Sequence, residues 1–513
     1  MCRSIVLTIG MCIALSAAAI VPPRDPSKWD AWQAQHAAEL NRQQMPAVTK
    51  VGSQRTIIPR ILVIAANFSD VALISTIADI DSMFNGQNWT KDGATGSIRQ
   101  YFYDQSMGQY NPQFDVVGPI TLSNSYAYYG ANVGNNTSSK AGYMVTEACT
   151  LVNDQVDFTQ YDSDNDGCID LVFVFYAGYG ENDYPDWMTQ TQIDNLLWPQ
   201  YWDAESAGYG SNQHIFDGKR VKAMEYSNEL DGRSSTETNP KTAGIGVACH
   251  EFCHALGLPD LYTTNGATHK TLSSWDIMCL GLYNNNIHTP AGLSAYERFF
   301  LGWLTPTLIV DSANLTLGNL ATTNTAYLIS ETDEHNMNGL SPDPASFYLL
   351  ENRQKNGWDS YLPASGMLLT HINYSASKWT SNTVNNTENA QGVDLIEADG
   401  ETPKSNTYYG YYGKAGDAFP HGATSYSGIT DHELTDIAMA DGIISFAYRG
   451  GIVDTIPQDT IPVDTVPQDT DSITTSLPIE SIQMHTYRTI RDGQMLIHTP
   501  NGTYNLYGIK QDD

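Results

Sequence analysis

The 513-residue chain carries 26 Lys+Arg against 57 Asp+Glu, a formal net charge of -31. This balance excludes nucleic acid and anionic membrane surfaces as partners, because phosphate recognition needs clustered Lys and Arg and no such cluster occurs. With 41% hydrophobic and 11% aromatic residues, the composition is that of packed globular protein, and the length predicts two or more domains.

Residues 1–19 read as a secretory signal peptide. Arg3 gives a positive start, Ile5 to Leu15 is an apolar run too short to span a bilayer, and Ser16 to Ala19 supplies small residues for cleavage. The sequence therefore predicts an exported protein, secreted or at the cell surface, without a transmembrane span. Beyond this leader lie Cys149, Cys168, Cys249, Cys253 and Cys279, an odd number that makes no disulfide framework. Residues 20–55 are polar, with an amphipathic pattern over Lys28 to Gln43, and read as a pro-segment or an N-terminal arm.

From residue 56 strand and helix patterns alternate. Arg60 to Phe68 reads as a buried strand, Tyr143 to Asn153 as a helix and Leu171 to Tyr176 as a second strand. Helices follow over Ala243 to Leu256 and Ala291 to Leu301, giving one mixed domain over 56–305. Residues 306–450 change to short alternating strands between Gly, Asn, Ser and Pro turns, as at Ala326–Ser330, Phe347–Glu351 and Met367–Ile372. This spacing predicts a β-sandwich-like accessory domain. A repeat of Asp-Thr-Ile/Val-Pro steps over Asp454 to Gln468 marks residues 451–476 as a linker; proline at every fifth position forbids a helix and favours an extended chain. Residues 477–513 read as a small β module around the Pro500-Asn501-Gly502 turn.

The chemistry concentrates in His250-Glu251-Phe252-Cys253-His254-Ala255-Leu256-Gly257-Leu258-Pro259-Asp260. On a helix, residues four apart lie about 40° apart in projection, so both imidazoles converge on one ion. Glu251 projects beside them, placed to take a proton from water at the metal. Gly257 can adopt the left-handed conformation that ends the helix and returns Asp260 as third ligand. Two imidazoles, one carboxylate and an open position make a catalytic zinc site. Met278, in Trp275-Asp276-Ile277-Met278-Cys279, follows at a distance suited to a Met-turn, an apolar floor beneath the zinc. Glu297 on the later helix is an alternative third ligand of the thermolysin type, and Cys249 and Cys253 are ligand candidates that read better as buried small hydrophobes.

The stretch Gly246 to Trp303 resembles the immune inhibitor A-like secreted metallopeptidases, a metzincin-type family. The resemblance rests on His250 to Tyr262, on Ser274 to Met278, and on Ala295-Tyr296-Glu297-Arg298 with Leu301-Gly302-Trp303-Leu304. It extends more weakly from Ile61 to Arg449, through Asp157-Phe158, Tyr161-Asp162, Leu350 to Gln354, and Gly357-Trp358-Asp359. It implies an α+β metzincin-like catalytic domain and an endopeptidase acting on protein or peptide substrates. It further implies zinc on His250, His254 and Asp260, Glu251 as base and Met278 below. Family members often carry Gly where this chain has Cys253.

A second metal loop is expected at Asp162-Ser163-Asp164-Asn165-Asp166-Gly167-Cys168-Ile169-Asp170, whose alternate carboxylates with Gly at the sixth position suit structural calcium. It departs from the EF-hand in having Phe173 at the twelfth position. Tyr283 is a candidate oxyanion donor. Thr455, Thr460 and Thr465 sit in steps that resemble bacterial O-glycosylation sites, and Arg491 to Lys510 resembles the sorting tails read by type IX-like secretion machinery. The competing reading is an adhesin or carbohydrate-binding surface protein, with the metal helix structural and the 306–450 domain binding the ligand.

Overall fold

The computed structural model describes residues 19–29, 57–132, 138, 140–203 and 215–451, with short strands between 487 and 511. The predicted leader before residue 19, most of the predicted pro-segment and the linker repeat lie outside the described residues. Residues Met1–Val453 form one compact unit and Asp454–Asp513 a second.

A seven-stranded sheet organises the first unit. In spatial order it runs β1 (Ala19–Ile20), β6 (Gln200–Asp203), β9 (Ala223–Thr236), β5 (Val172–Tyr179), β2 (Arg60–Asn67) and β3 (Gln113–Thr121), with β10 (Asn239–Thr242) also on β9. The consecutive strands β3, β2, β5 and β9 are parallel, and β6 pairs antiparallel with β9. A parallel strand is covered on both faces, which explains the unbroken apolar runs. Ile61, Val63 and Ala65 of β2 enter one core while Leu62, Ile64 and Ala66 enter the other. In β5, Phe173 and Phe175 alternate in the same way with Val172, Val174 and Tyr176.

Helices α1 (Ile77–Asn85), α2 (Ile98–Gln105) and α3 (Ala141–Val152) pack on this sheet, and α4 (Gly246–Ala255) lies in the first core. Helix α4 starts at Gly246 because Ala243 is still held by β9, its amide donating to the Glu229 carbonyl at 2.7 Å. Gly246 is required there, since a Cβ would meet the Leu282 carbonyl oxygen at 1.9 Å. Helix α5 (Ala295–Leu301) begins later than the pattern suggests, because Ser294 and Glu297 form a capping box.

The change of strand pattern at residue 306 is not a change of core. Strands β11 (Thr307–Leu308), β13 (Tyr327–Ile329), β14 (Ser346–Arg353), β15 (Gly366–Asn373) and β16 (Val393–Ile396) form a five-stranded sheet. Its Leu328, Phe347, Leu349, Leu368 and Ile372 join the cluster that contains Phe252 and Met278. On its other face Ile329, Leu350, Met367 and Leu369 pack with β12 (Ala313–Leu317), β17 (Leu434–Ala440) and β18 (Ile443–Tyr448). No helix among the described residues is long and apolar enough to cross a membrane.

The second unit contains a four-stranded antiparallel meander, β19 (Tyr487–Arg491), β20 (Gln494–Thr499), β21 (Gly502–Asn505) and β22 (Lys510–Gln511).

Candidate metal centre

Helix α4 ends as its residues dictate. Gly257 has φ +98°, the left-handed region open to glycine. Its amide donates to the His254 carbonyl at 2.9 Å and that of Leu258 to Cys253 at 3.1 Å, the pair of bonds that defines a Schellman cap. The chain then turns back and brings Asp260 to the helix.

The three donors form a near-equilateral triangle. His250 Nε2 and His254 Nε2 are 3.2 Å apart, and each lies 3.2 Å from Asp260 Oδ1. Three ligands at about 2.0–2.1 Å around a tetrahedral zinc would stand roughly 3.3 Å apart. Both imidazole Nδ1 atoms face carbonyls, His250 on Ile277 at 2.8 Å and His254 on Leu258 at 2.7 Å. A carbonyl only accepts, so each Nδ1 carries the proton and each Nε2 presents a lone pair. Two nitrogen lone pairs and a carboxylate oxygen therefore face one another in a fully buried site, an arrangement that calls for a cation. Asp260 Oδ1 has no hydrogen-bond partner of its own. Burial also holds His250 below its ordinary range, favouring the neutral ring.

Glu251 is buried beside the triangle. Its Oε2 accepts from the Tyr201 amide of β6 at 2.6 Å, and Oε1 has no partner. Burial first, and then the charges of Glu225 and Asp260, push its carboxyl well above the ordinary range. Glu225, on β9, is itself buried with both oxygens unpartnered.

The segment predicted as a Met-turn supports two of the three converging donors through its backbone. Ile277 gives the carbonyl that orients His250, and the Met278 carbonyl accepts from Leu261, next to Asp260, at 2.7 Å. The Met278 side chain is buried in the same cluster as Phe252. Among the described residues, Asp260 and not Glu297 joins the two histidines. Glu297 instead accepts from the Ser294 amide at 2.7 Å as a helix cap. All five described cysteines are free and buried, and neither Cys249 nor Cys253 belongs to the cluster.

Residues that no local pattern marks complete the site. Asn382, far along the chain, grips Asp260 from both sides: its Nδ2 donates to Oδ2 at 2.6 Å and its Oδ1 accepts from the Asp260 amide at 2.7 Å. It sits at φ +52°, a conformation asparagine tolerates. Nearby, Asn385 donates to the Leu261 carbonyl at 2.9 Å and Asn386 accepts from the Thr264 amide at 2.7 Å. Near Trp275, buried Arg353 binds Asp359 through Nη2 at 2.6 Å and Glu351 through Nη1 at 3.1 Å, and donates to the Gly292 carbonyl at 2.9 Å.

The acidic loop brings Asp162, Asp164 and Asp166 together, with Asp164 and Asp166 exposed. Asp162 pairs with Lys219 at 2.6 Å and accepts from the Gly167 amide at 3.1 Å. Asp170 stands outside this group and accepts from the Ser163 amide at 3.0 Å. Tyr283 is buried; its hydroxyl donates to the Pro22 carbonyl and accepts from Asn182 at 3.3 Å.

Residues 76–304 match the family described as the immune inhibitor A peptidase M6, catalytic domain. The chain is also similar to the pre-pro-metalloprotease PrtV of Vibrio cholerae serotype O1, 27% identical over 236 residues, covering 42% of this chain and 24% of that protein. It is similar to immune inhibitor A of Bacillus thuringiensis subsp. alesti, 24% identical over 225 residues, covering 40% of this chain and 31% of that protein. The chain thus spans about a quarter to a third of the length of these relatives. The matched region holds the helix, the turn and the three converging donors, so the likeness of residues 76–304 to an immune inhibitor A-like metallopeptidase domain includes the candidate metal centre.

Proposed function

We propose that this protein is a secreted zinc endopeptidase in which His250, His254 and Asp260 hold the metal and Glu251 is the general base. The observation that carries this reading is the 3.2 Å triangle of inward-facing lone pairs beside a glutamate with one unpartnered oxygen. Zinc held there supplies Lewis-acid polarisation of the scissile carbonyl and acidifies water. Glu251 Oε2 is fixed by the Tyr201 amide, which leaves Oε1 to accept the proton of the attacking water. Burial raises the proton affinity of that carboxylate, as suits a base that must hold a proton and then deliver it to the leaving amine nitrogen. Asn382 fixes the rotation of the Asp260 carboxylate, and Met278 forms the apolar floor.

The reading of residues 20–55 as a pro-segment draws support from residues 20–29, in which Ile20 pairs opposite Gln200 of β6 and Trp29 packs on Tyr262. Export rests on the leader pattern of residues 1–19, and a type IX-like address on the β module of residues 477–513. Structural calcium in the acidic loop rests on the convergence of Asp162, Asp164 and Asp166. The test is zinc content and casein or gelatin cleavage for the secreted protein and its Glu251→Ala variant. Equal zinc with cleavage lost is expected; full cleavage by the variant would remove the mechanism.

A further inference from the structure

Residues 19–23 lie along the candidate active site without helix or turn, and Pro26–Lys28 form a short 3-10 helix before Trp29. β1 pairs antiparallel with the edge strand β6, Ala19 opposite Tyr201 and Ile20 opposite Gln200. Tyr201 is the residue whose amide holds Glu251. At the other end, Trp29 packs edge-on against Tyr262, two residues past Asp260, and against Tyr411. The segment therefore runs from the strand beside the base to the ring beside the third ligand.

Side chains of the cleft take its backbone carbonyls in succession. Trp198 Nε1 donates to Val21 at 3.1 Å, the Tyr283 hydroxyl to Pro22, the Tyr411 hydroxyl to Pro23 at 2.5 Å and Arg233 to Arg24 at 2.7 Å. An edge strand with fixed donors reads an extended peptide by its backbone, and pockets for individual side chains add selectivity.

The pocket for Arg24 is the most polar of these. Arg24 Nη1 bonds Asp183 Oδ2 and Asp231 Oδ1, both at 2.7 Å, and Nη2 bonds Asn286 Oδ1 at 2.8 Å. Both acids are buried, at 5% and 0% exposure. Burial pushes Asp183 up to about 6 even with the guanidinium in place. Two buried carboxylates stripped of their cation are costly, so a site that loses Arg24 favours an incoming cation. The planar guanidinium fits such a fork of acceptors. A groove lined by Asp183, Asp186, Arg233, Tyr408 and Tyr412 opens beside the pocket and gives a side chain access from solvent.

We infer that the Asp183–Asp231–Asn286 pocket is a specificity subsite for arginine or lysine in polypeptide substrates, and that residues 20–29 occupy the cleft as a substrate-like segment until they leave. This rests on the peptidase reading of the site. The segment runs antiparallel to the edge strand, the acids and the amide oxygen of Asn286 recognise the basic side chain, and the tyrosines and Trp198 hold the backbone irrespective of sequence.

The test begins with N-terminal sequencing of the active secreted enzyme, followed by cleavage-site profiling on a denatured proteome. The expected active form starts after residue 29, with Arg and Lys enriched at one fixed subsite. Asp231→Asn should lower kcat/KM about tenfold or more for a peptide with arginine at that subsite, and change the norleucine counterpart little. Because Asp231 also holds Ser234, a second measurement uses the unaltered enzyme. A synthetic peptide of residues 20–29 should inhibit it, and the Arg24→Met peptide should inhibit about tenfold or more weakly. An active form that retains Arg24, cleavage without positional basic preference, or two peptides of equal potency would each overturn the inference. Absence of all cleavage by the zinc-loaded enzyme would instead remove the peptidase reading, and this subsite with it.

Discussion

His250, His254 and Asp260 are buried with their donor atoms turned toward one another, whereas Asp162, Asp164 and Asp166 converge on a loop that opens to solvent. In the first place the second atom of each residue is fixed: Ile277 and Asn382, from far along the chain, hold His250 and Asp260, and Leu258 in the turn that follows holds His254. In the second the partners are mostly local. Asp166 accepts from the Cys168 amide at 2.8 Å and Asp162 from the Asp166 amide at 3.0 Å, with Lys219 as the added cation. A pattern of ligating residue types is therefore not yet a preorganised site. Preorganisation comes from remote partners that remove the alternatives to binding.

The largest effect is expected at Glu251. Glu251→Gln should lower kcat by about 10²–10⁴-fold, the usual worth of a positioned acid–base group, while zinc content by mass spectrometry stays at the wild-type level. Next comes the buried support near Trp275. Arg353→Met strands Glu351 and Asp359, and should destabilise the protein by about 3–5 kcal/mol in urea unfolding. Native stability in this variant would show that residues 306–450 do not brace the site.

A smaller effect is expected at the third ligand. Asn382→Ala should weaken zinc retention against a competing chelator by about 10–100-fold, with Asp260 and both histidines intact. Unchanged zinc affinity would mean that Asp260 orients itself. The smallest effect belongs to the open loop. Asp164→Asn should leave zinc content and peptide cleavage near wild type, and remove whatever rise in melting temperature calcium confers. A loss of zinc on that change would couple the two places that the comparison separates.

Much of the fold was legible because its signals are short-range. The runs Arg60 to Asn67 and Val172 to Tyr179 stand out as apolar since a parallel strand is buried on both faces. Boundaries shifted where partners are distant: Ala243 looks helical by pattern but is claimed by Glu229 of β9. The residues from 306 onward read as a separate sheet, yet their apolar side chains face in two directions, one toward the catalytic core. Alternation reports that a face is buried; it does not report against what.

The sequence by itself determined the helix with His250 and His254 one turn apart, the Gly257 turn, the return of Asp260 and the Ile277–Met278 segment. The first three depend on spacing within a few residues, which backbone geometry fixes locally; the last is legible as a short segment, but its hold on His250 spans 27 positions. Tertiary structure alone decided that Asn382 grips Asp260 across 122 positions and that Arg24 enters the Asp183 and Asp231 pocket across 159 and 207. Such partners share no period with the residues they serve. Their pairing is set by where the folded sheet and its loops bring opposite charges and unsatisfied polar groups together out of water, where leaving them unpaired would be costly.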